Sequence, residues 1–354
     1  MKEPIETVVS VSIFILILSS ITTLISSTPT PLPKAYTSLN SEVSALMDKL
    51  LNFEGFPRDW DVKVLMGGVI LDFGIGGFGG VDRDKVNLLT YNFIGKPSNL
   101  ISVPFTLSPY GLNGWVDGVD KGFLINFKPI LNVTITHKVV GGSHKIEVNV
   151  FTIDGFDVTD DSDLTIISIY IHPTGVKFSY NKKSPLYFSH PVKAIVAIAN
   201  YNGLSSLSYW IDSETYFGFT VGCYIISPLS LSDSDLKMIF QKPIGGDFKI
   251  DVEFSYVSTV GGLYVYRVYN EGWSVWVDYN LDSDVVLFAS VDSSGLRAVF
   301  TTYPAPIYTQ AGLTSTPSLS FGGIVPAWTS SSSRVVSMGF LNYIVKLYVW
   351  GGGG

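Results

Sequence analysis

The stretch Leu131–Val140, LNVTITHKVV, followed by Gly141-Gly142 and then by Ser143 and His144–Ile153, HKIEVNVFTI, reads as a β-hairpin. Both arms are rich in Val, Ile, Thr and Phe and alternate in polarity, the period-2 pattern of a half-buried strand. The two glycines accept positive φ, which a two-residue hairpin turn requires. If Val140 faces Ser143, then Val139 faces His144 and His137 faces Ile146. The two imidazoles are therefore not directly opposite, and no metal pair is expected of them. Phe123–Phe127 before the hairpin and Leu164–Ile171 after it are further strands. The run Gly122–Tyr180 thus has the strand spacing of an immunoglobulin-like sandwich unit.

Working outward, Val192–Asn200, Tyr216–Ile226, Phe248–Val257, Leu263–Tyr269, Trp273–Tyr279, Val285–Val291 and Leu296–Thr301 also read as strands. The last, Asn342–Trp350, is NYIVKLYVW and runs into Gly351–Gly354. Ala311–Ser333 is rich in Ser, Thr, Gly and Pro and reads as a surface loop. No fixed-period repeat occurs, which argues against a solenoid or propeller.

Helices are few. Leu39, Val43, Leu46, Leu50 and Phe53 recur at spacings of four and three, one face of an amphipathic helix capped near Ser38 or Asn40 and stopped by Gly55. A second runs from Asp82 to about Tyr91, with Asp82 and Asp84 at its positive end. A third is expected at Ser232–Phe240.

Of the 354 residues, 46% are hydrophobic and only 15% charged, well below the share in an ordinary soluble domain. With 23 basic and 30 acidic residues the net charge is −7 and no basic block occurs, which argues against nucleic acid and anionic lipid surfaces. The single cysteine, Cys223, excludes an internal disulfide framework. It reads as a small buried hydrophobe.

From Thr7 to Pro33 no residue is charged, and Val8–Ile25 is VVSVSIFILILSSITTLI, as long as a bilayer-spanning helix. A retained anchor or the stem of a filament subunit is the leading reading, with a cleaved signal peptide and a buried core helix as alternatives. Glu6, Phe14, Leu16 and Leu18 are the residues expected to serve assembly. Pro29, Pro31 and Pro33 make an extended spacer after this helix.

The segment Leu50-Leu51-Asn52-Phe53-Glu54-Gly55-Phe56-Pro57-Arg58-Asp59-Trp60, then Gly67–Ile75 (GGVILDFGI) and Val81–Leu89 (VDRDKVNLL), resembles the opening of archaeal surface proteins with a pilin-like N-terminus. The likeness spans about the first 90 residues and the closing Val-Trp-Gly strand. It implies export, membrane anchoring and assembly into a filament, and no catalytic residues. A pilin precursor carries a basic, Gly- or Ala-ended leader, whereas only Met1-Lys2 precedes Glu3 here.

Chemistry-bearing patterns are sparse. Asp154, Asp157, Asp160, Asp161 and Asp163 cluster in DGFDVTDDSD and offer the carboxylate oxygens that calcium takes, without EF-hand spacing. The alternative is a solvated acidic turn. Asp82 with Asp84 reads as a helix start. His172 and His190 each precede proline and read as turn residues. Gly74–Gly80, GIGGFGG, lacks the Lys-Ser/Thr of a phosphate loop and reads as a flexible turn. Tyr264, Tyr266, Tyr269, Trp273, Trp276 and Tyr279 gather in one expected hairpin, as sandwich core, subunit contact or sugar platform. Asn132-Val133-Thr134 is a glycosylation sequon.

The expected architecture is mainly β with an N-terminal hydrophobic helix: an antiparallel, immunoglobulin-like β-sandwich ectodomain with a few short helices. Its parts are the helix and spacer (1–34), the amphipathic helix and start of the β body (35–120), the sandwich unit (121–180) and a second β-rich region (181–354). The expected function is an extracellular structural or adhesive surface protein, a pilin-like filament subunit rather than an enzyme. Its partners would be copies of itself, the membrane and surface glycans, with no cofactor beyond calcium. The alternative is a membrane-tethered carbohydrate-binding or hydrolase module.

Overall fold

The computed structural model describes residues 34–66, 68, 72–77, 79–90, 121–231, 239–241, 247–249, 254–260, 262–269, 287–292, 295–304, 313–315, 318–322, 325–327 and 329–351. The chain divides at Glu42 into two units, and Val43–Gly354 holds every sheet. The apolar run with Glu6, Phe14, Leu16 and Leu18 lies outside the described residues. Among the described residues no helix is long and apolar enough to cross a membrane.

The hairpin pairs as its sequence predicts, Leu131–Val140 against Ser143–Thr152 with Val140 opposite Ser143 and His137 opposite Ile146. Gly141 and Gly142 turn at φ of +58° and +82°. With Leu186–Phe188 it forms a three-stranded sheet. Leu131, Val133, Ile135, Ile146, Val148 and Val150 point inward from it. They meet Leu164, Ile166, Val192, Ile195, Ala197, Ala199 and Trp210 of a second sheet. That sheet has five antiparallel strands, in the order Leu313–Ser315, Leu204–Ile211, Val192–Tyr201, Asp163–His172, Gly175–Asn181. Two antiparallel sheets facing one apolar core make a β-sandwich.

A four-stranded antiparallel sheet is built on the C-terminal strand Leu341–Gly351, flanked by Lys121–Pro129 and by Ser330–Met338, with Leu319–Gly322 outermost. Leu341, Tyr343, Val345, Leu347 and Val349 are all buried and their neighbours half-exposed, so period 2 holds along the strand. The largest sheet has eight strands, with Tyr216–Val221 parallel to Gly295–Thr301 and its other pairs antiparallel. Ile225, Tyr266, Val268, Ala298 and Phe300 form its core.

Three expectations are corrected. Ala311–Ser333 is not simply a loop: Leu313–Ser315 and Leu319–Gly322 lie in it and Ser330–Met338 begins in it. Ser331 and Ser333 are exposed positions of an edge strand, Ser330 is buried, and Leu319 and Phe321 are the buried positions of the other edge strand. Tyr216–Ile226 is two strands, because Gly222 at φ +51° turns the chain so that Val221 pairs with Tyr224. Ile239 and Phe240, placed at the end of a helix by their sequence, belong to the strand Ile239–Gln241. Residues 232–238 and the Trp273–Tyr279 strand lie outside the described residues.

The first described helix, Lys34–Asn52, begins several residues before its expected cap and buries Val43, Leu46, Met47 and Leu50. Arg334 of the Ser330–Met338 strand donates to Ser44 Oγ (3.0 Å) and Asp48 Oδ1 (3.1 Å). A short helix, Trp60–Leu65, was not legible in the pattern. The third, Arg83–Thr90, is close to its expected place.

Candidate functional site

The described residues of the segments Leu50–Trp60, Gly67–Ile75 and Val81–Leu89 fold onto one another. Trp60, fully buried, donates its indole N–H to Gly74 O at 2.8 Å and lies 5.6 Å from the Phe73 ring. Phe56 and Asp72 form an isolated antiparallel bridge. Lys85, only 2% exposed, donates to Glu54 O (2.8 Å) and Gly76 O (3.3 Å), and its Nζ is 3.4 Å from Asp82 Oδ2. A buried ammonium needs such partners to offset its desolvation. Gly76–Gly77 pairs with Gly80–Val81, so the glycine-rich segment is a packed two-stranded turn rather than the flexible one expected. A Cβ on Gly74 would collide with the Phe53 carbonyl, and one on Gly80 with the Ser337 carbonyl.

This unit is pinned to the sheets by the Arg83–Thr90 helix. Asp82 caps it, its Oδ1 accepting from the backbone N–H of Asp84 (3.0 Å) and Lys85 (3.4 Å). Asn87, fully buried, donates through Nδ2 to Thr220 O (3.0 Å) and Thr302 O (3.2 Å). Asp84 Oδ2 accepts from the Gly222 N–H at 2.9 Å. The Arg83 guanidinium lies 5.4 Å from the Tyr303 ring centre.

Beside the helix start is a cleft of about 380 Å³, lined by Gly77, Gly79, Gly80, Val81, Asp82, Arg83, Asp84 and Gly339. Asp61, from the short helix, brings a third carboxylate: one oxygen from each of Asp61, Asp82 and Asp84 lies within 4.8 Å of the others. Asp61 is pushed up to about 7, by burial first and then by the charges of Asp84 and Asp82. Burial also raises Asp84 against the pull of Arg83. Arg83 is driven above its ordinary value because Asp84, Tyr303 and Asp82 outweigh the cost of burying it. Such oxygens could hold a hard cation. Arg83, 3.4 Å from Asp84, and Lys85 already supply counter-charge, so the trio is also a sound ion-pair network without one. Asp82 and Asp84 lie at a helix start, as their sequence predicts. Asp61 was missed, since nothing in its spacing ties it to them.

The acidic loop is placed differently. Asp154, Asp157, Asp160, Asp161 and Asp163 are all exposed on the connection around Val158. Asp157 is held below its usual range by the hydroxyl and N–H of Thr159, at 2.6 and 2.9 Å. Among the described residues the only carboxylate trio with converging oxygens is that of Asp61, Asp82 and Asp84. Asn132 is exposed on its strand. Cys223 is half-buried at the edge of the eight-stranded sheet's core. Tyr264 and Tyr266 share a strand, but Tyr266 is core while Tyr269 is exposed, so they form no single aromatic platform.

The histidines bring a correction. His137 and His144 are offset in register as expected, yet both lie on the inward side of the hairpin, two positions beyond the last core residues. Diagonal neighbours on one face are within side-chain reach. His137 Nε2 and His144 Nδ1 are 2.9 Å apart, and His137 packs on Trp210 with ring centres 4.4 Å apart. Burial, then His144, hold His137 below its ordinary value against the opposing charge of Asp212. His172 and His190 also meet, edge to face at 4.8 Å.

No family model, curated protein or solved structure matches this chain.

Proposed function

We propose that this chain is a cell-surface structural or adhesive subunit, held in a membrane or a filament core by its N-terminal apolar segment with the β body displayed outside. The observation that carries the reading is the uncharged run Thr7–Pro33, long enough as a helix to cross a bilayer, placed ahead of a large β body. Low charge density and the antiparallel sandwich support display on a surface. Within this reading, the β-sandwich is immunoglobulin-like, its unit read from the sequence at residues 121–180, and exposed Asn132 is where a glycan attaches.

The test is Leu16→Lys in the full chain. A lysine at mid-span costs about 2.5–3.5 kcal/mol for insertion. The variant is expected to leave the membrane fraction and to fail to join fibres seen by electron microscopy. Membrane fractionation and assembly equal to the parent would overturn the reading.

A further inference from the structure

We infer that His137 and His144 form a binding site for a tetragonal divalent transition-metal ion, with copper(II) the best fit and nickel(II) next. Their contacting nitrogens, Nε2 and Nδ1, are 2.9 Å apart. The ring planes are 13° from parallel with centres 5.1 Å apart, so the rings meet edge to edge rather than face to face. With no ion bound, one ring donates an N–H to the other.

Imidazole suits copper, nickel and zinc, and affinity and geometry rank them. Two imidazole nitrogens about 2.05 Å from one metal are about 2.9 Å apart at a right angle and about 3.3 Å apart at the tetrahedral angle. The observed 2.9 Å is the length of the hydrogen bond the two rings share; a right-angled edge keeps that separation, and copper(II) leads because it binds nitrogen ligands most strongly of the divalent series. Each ring swings by about 45° from the shared-proton line so that its lone pair points at the metal. Both rings are half-exposed, so the ion and its waters can enter. The donor ring moves its proton to the far nitrogen on binding, and no net proton is lost when both rings start neutral.

Trp210 backs His137, and the charge of Asp212 acts on it. Asp212 Oδ2 is 2.6 Å from Lys193 Nζ, which also binds Glu214 at 2.9 Å. Lys145 and Glu147, on the His144 strand, pair with each other. Among the described residues no third ligand atom joins the two nitrogens. Water completes the coordination, and the site is weaker than a four-ligand one.

The experiment is titration of the full chain with CuCl2 at pH 7.5, followed by calorimetry and electron paramagnetic resonance. One equivalent of copper is expected to show a tetragonal spectrum with coupling to two imidazole nitrogens, and to quench Trp210 emission. His137→Asn and His144→Asn should each weaken binding at least tenfold. A His172→Asn/His190→Asn protein should bind as the parent does, and near-ultraviolet circular dichroism checks that all variants are folded. Binding unchanged in the His137→Asn/His144→Asn protein, binding lost with His172 and His190, or a spectrum without two-nitrogen coupling would each overturn the assignment.

Discussion

Burying one carboxyl beside two others favours keeping a proton on it, and Asp61 beside Asp82 and Asp84 is such a group, raised to about 7. In the unfolded chain an aspartate titrates near 3.9. The folded state therefore holds this proton more tightly, and the group's contribution is most favourable below about pH 4. It is lost as the pH rises from about 4 to about 7 and is flat above that. At about 1.4 kcal/mol per unit, the loss is a few kcal/mol at most. Asp61→Asn should melt higher than the parent at pH 8, with the gap shrinking or reversing at pH 4.5. A gap equal at both values would mean that Asp61 does not carry the buried proton. Single residues were also where the sequence was least legible. His137 and His144 were paired correctly in register, but reading only directly opposite partners hid a diagonal contact on the shared face. Noting that both positions have the parity of the buried Ile135 and Ile146 would have found it.

Within elements, two glycines of the GIGGFGG segment separate close packing from turn geometry. Gly74 lies where any Cβ strikes the backbone of Phe53, while Gly79 has φ +84° and open space around it. Gly79→Ala meets only backbone strain and should cost about 1–2 kcal/mol. Gly74→Ala must push apart the segment that Trp60 and Lys85 hold together, and should cost more than 3 kcal/mol with a correspondingly larger fall in melting temperature. Equal losses would show that the segment yields as a flexible turn does. The hairpin, the C-terminal strand and the Arg83–Thr90 helix were legible, since alternation, turn glycines and a capping aspartate are local signals. The serine-rich edge strands and the Trp60–Leu65 helix were not. An edge strand needs few apolar residues because one side lacks a neighbour. Six residues are too few for helical periodicity to show.

For the whole molecule, the question is where the apolar surface of Thr7–Pro33 goes in the proposed subunit. The cores described above are built from Val43 onward: the sandwich core, the core of the eight-stranded sheet and the inner face of the C-terminal strand. A helix apolar all round needs lipid or other helices to cover it, and in this reading Pro29, Pro31 and Pro33 would keep the chain extended behind it. Identical helices from neighbouring subunits would cover it, with Ser and Thr along the span bonding across. Head-to-tail addition with a rotation that does not close then gives a filament. A protein beginning at Lys34 should therefore be soluble and monomeric by light scattering and melt in one cooperative transition, while the full chain sediments with membranes or as fibres. If the shortened protein polymerises as the full chain does, the contacts that build the polymer lie in the β body, and the apolar segment is an anchor alone.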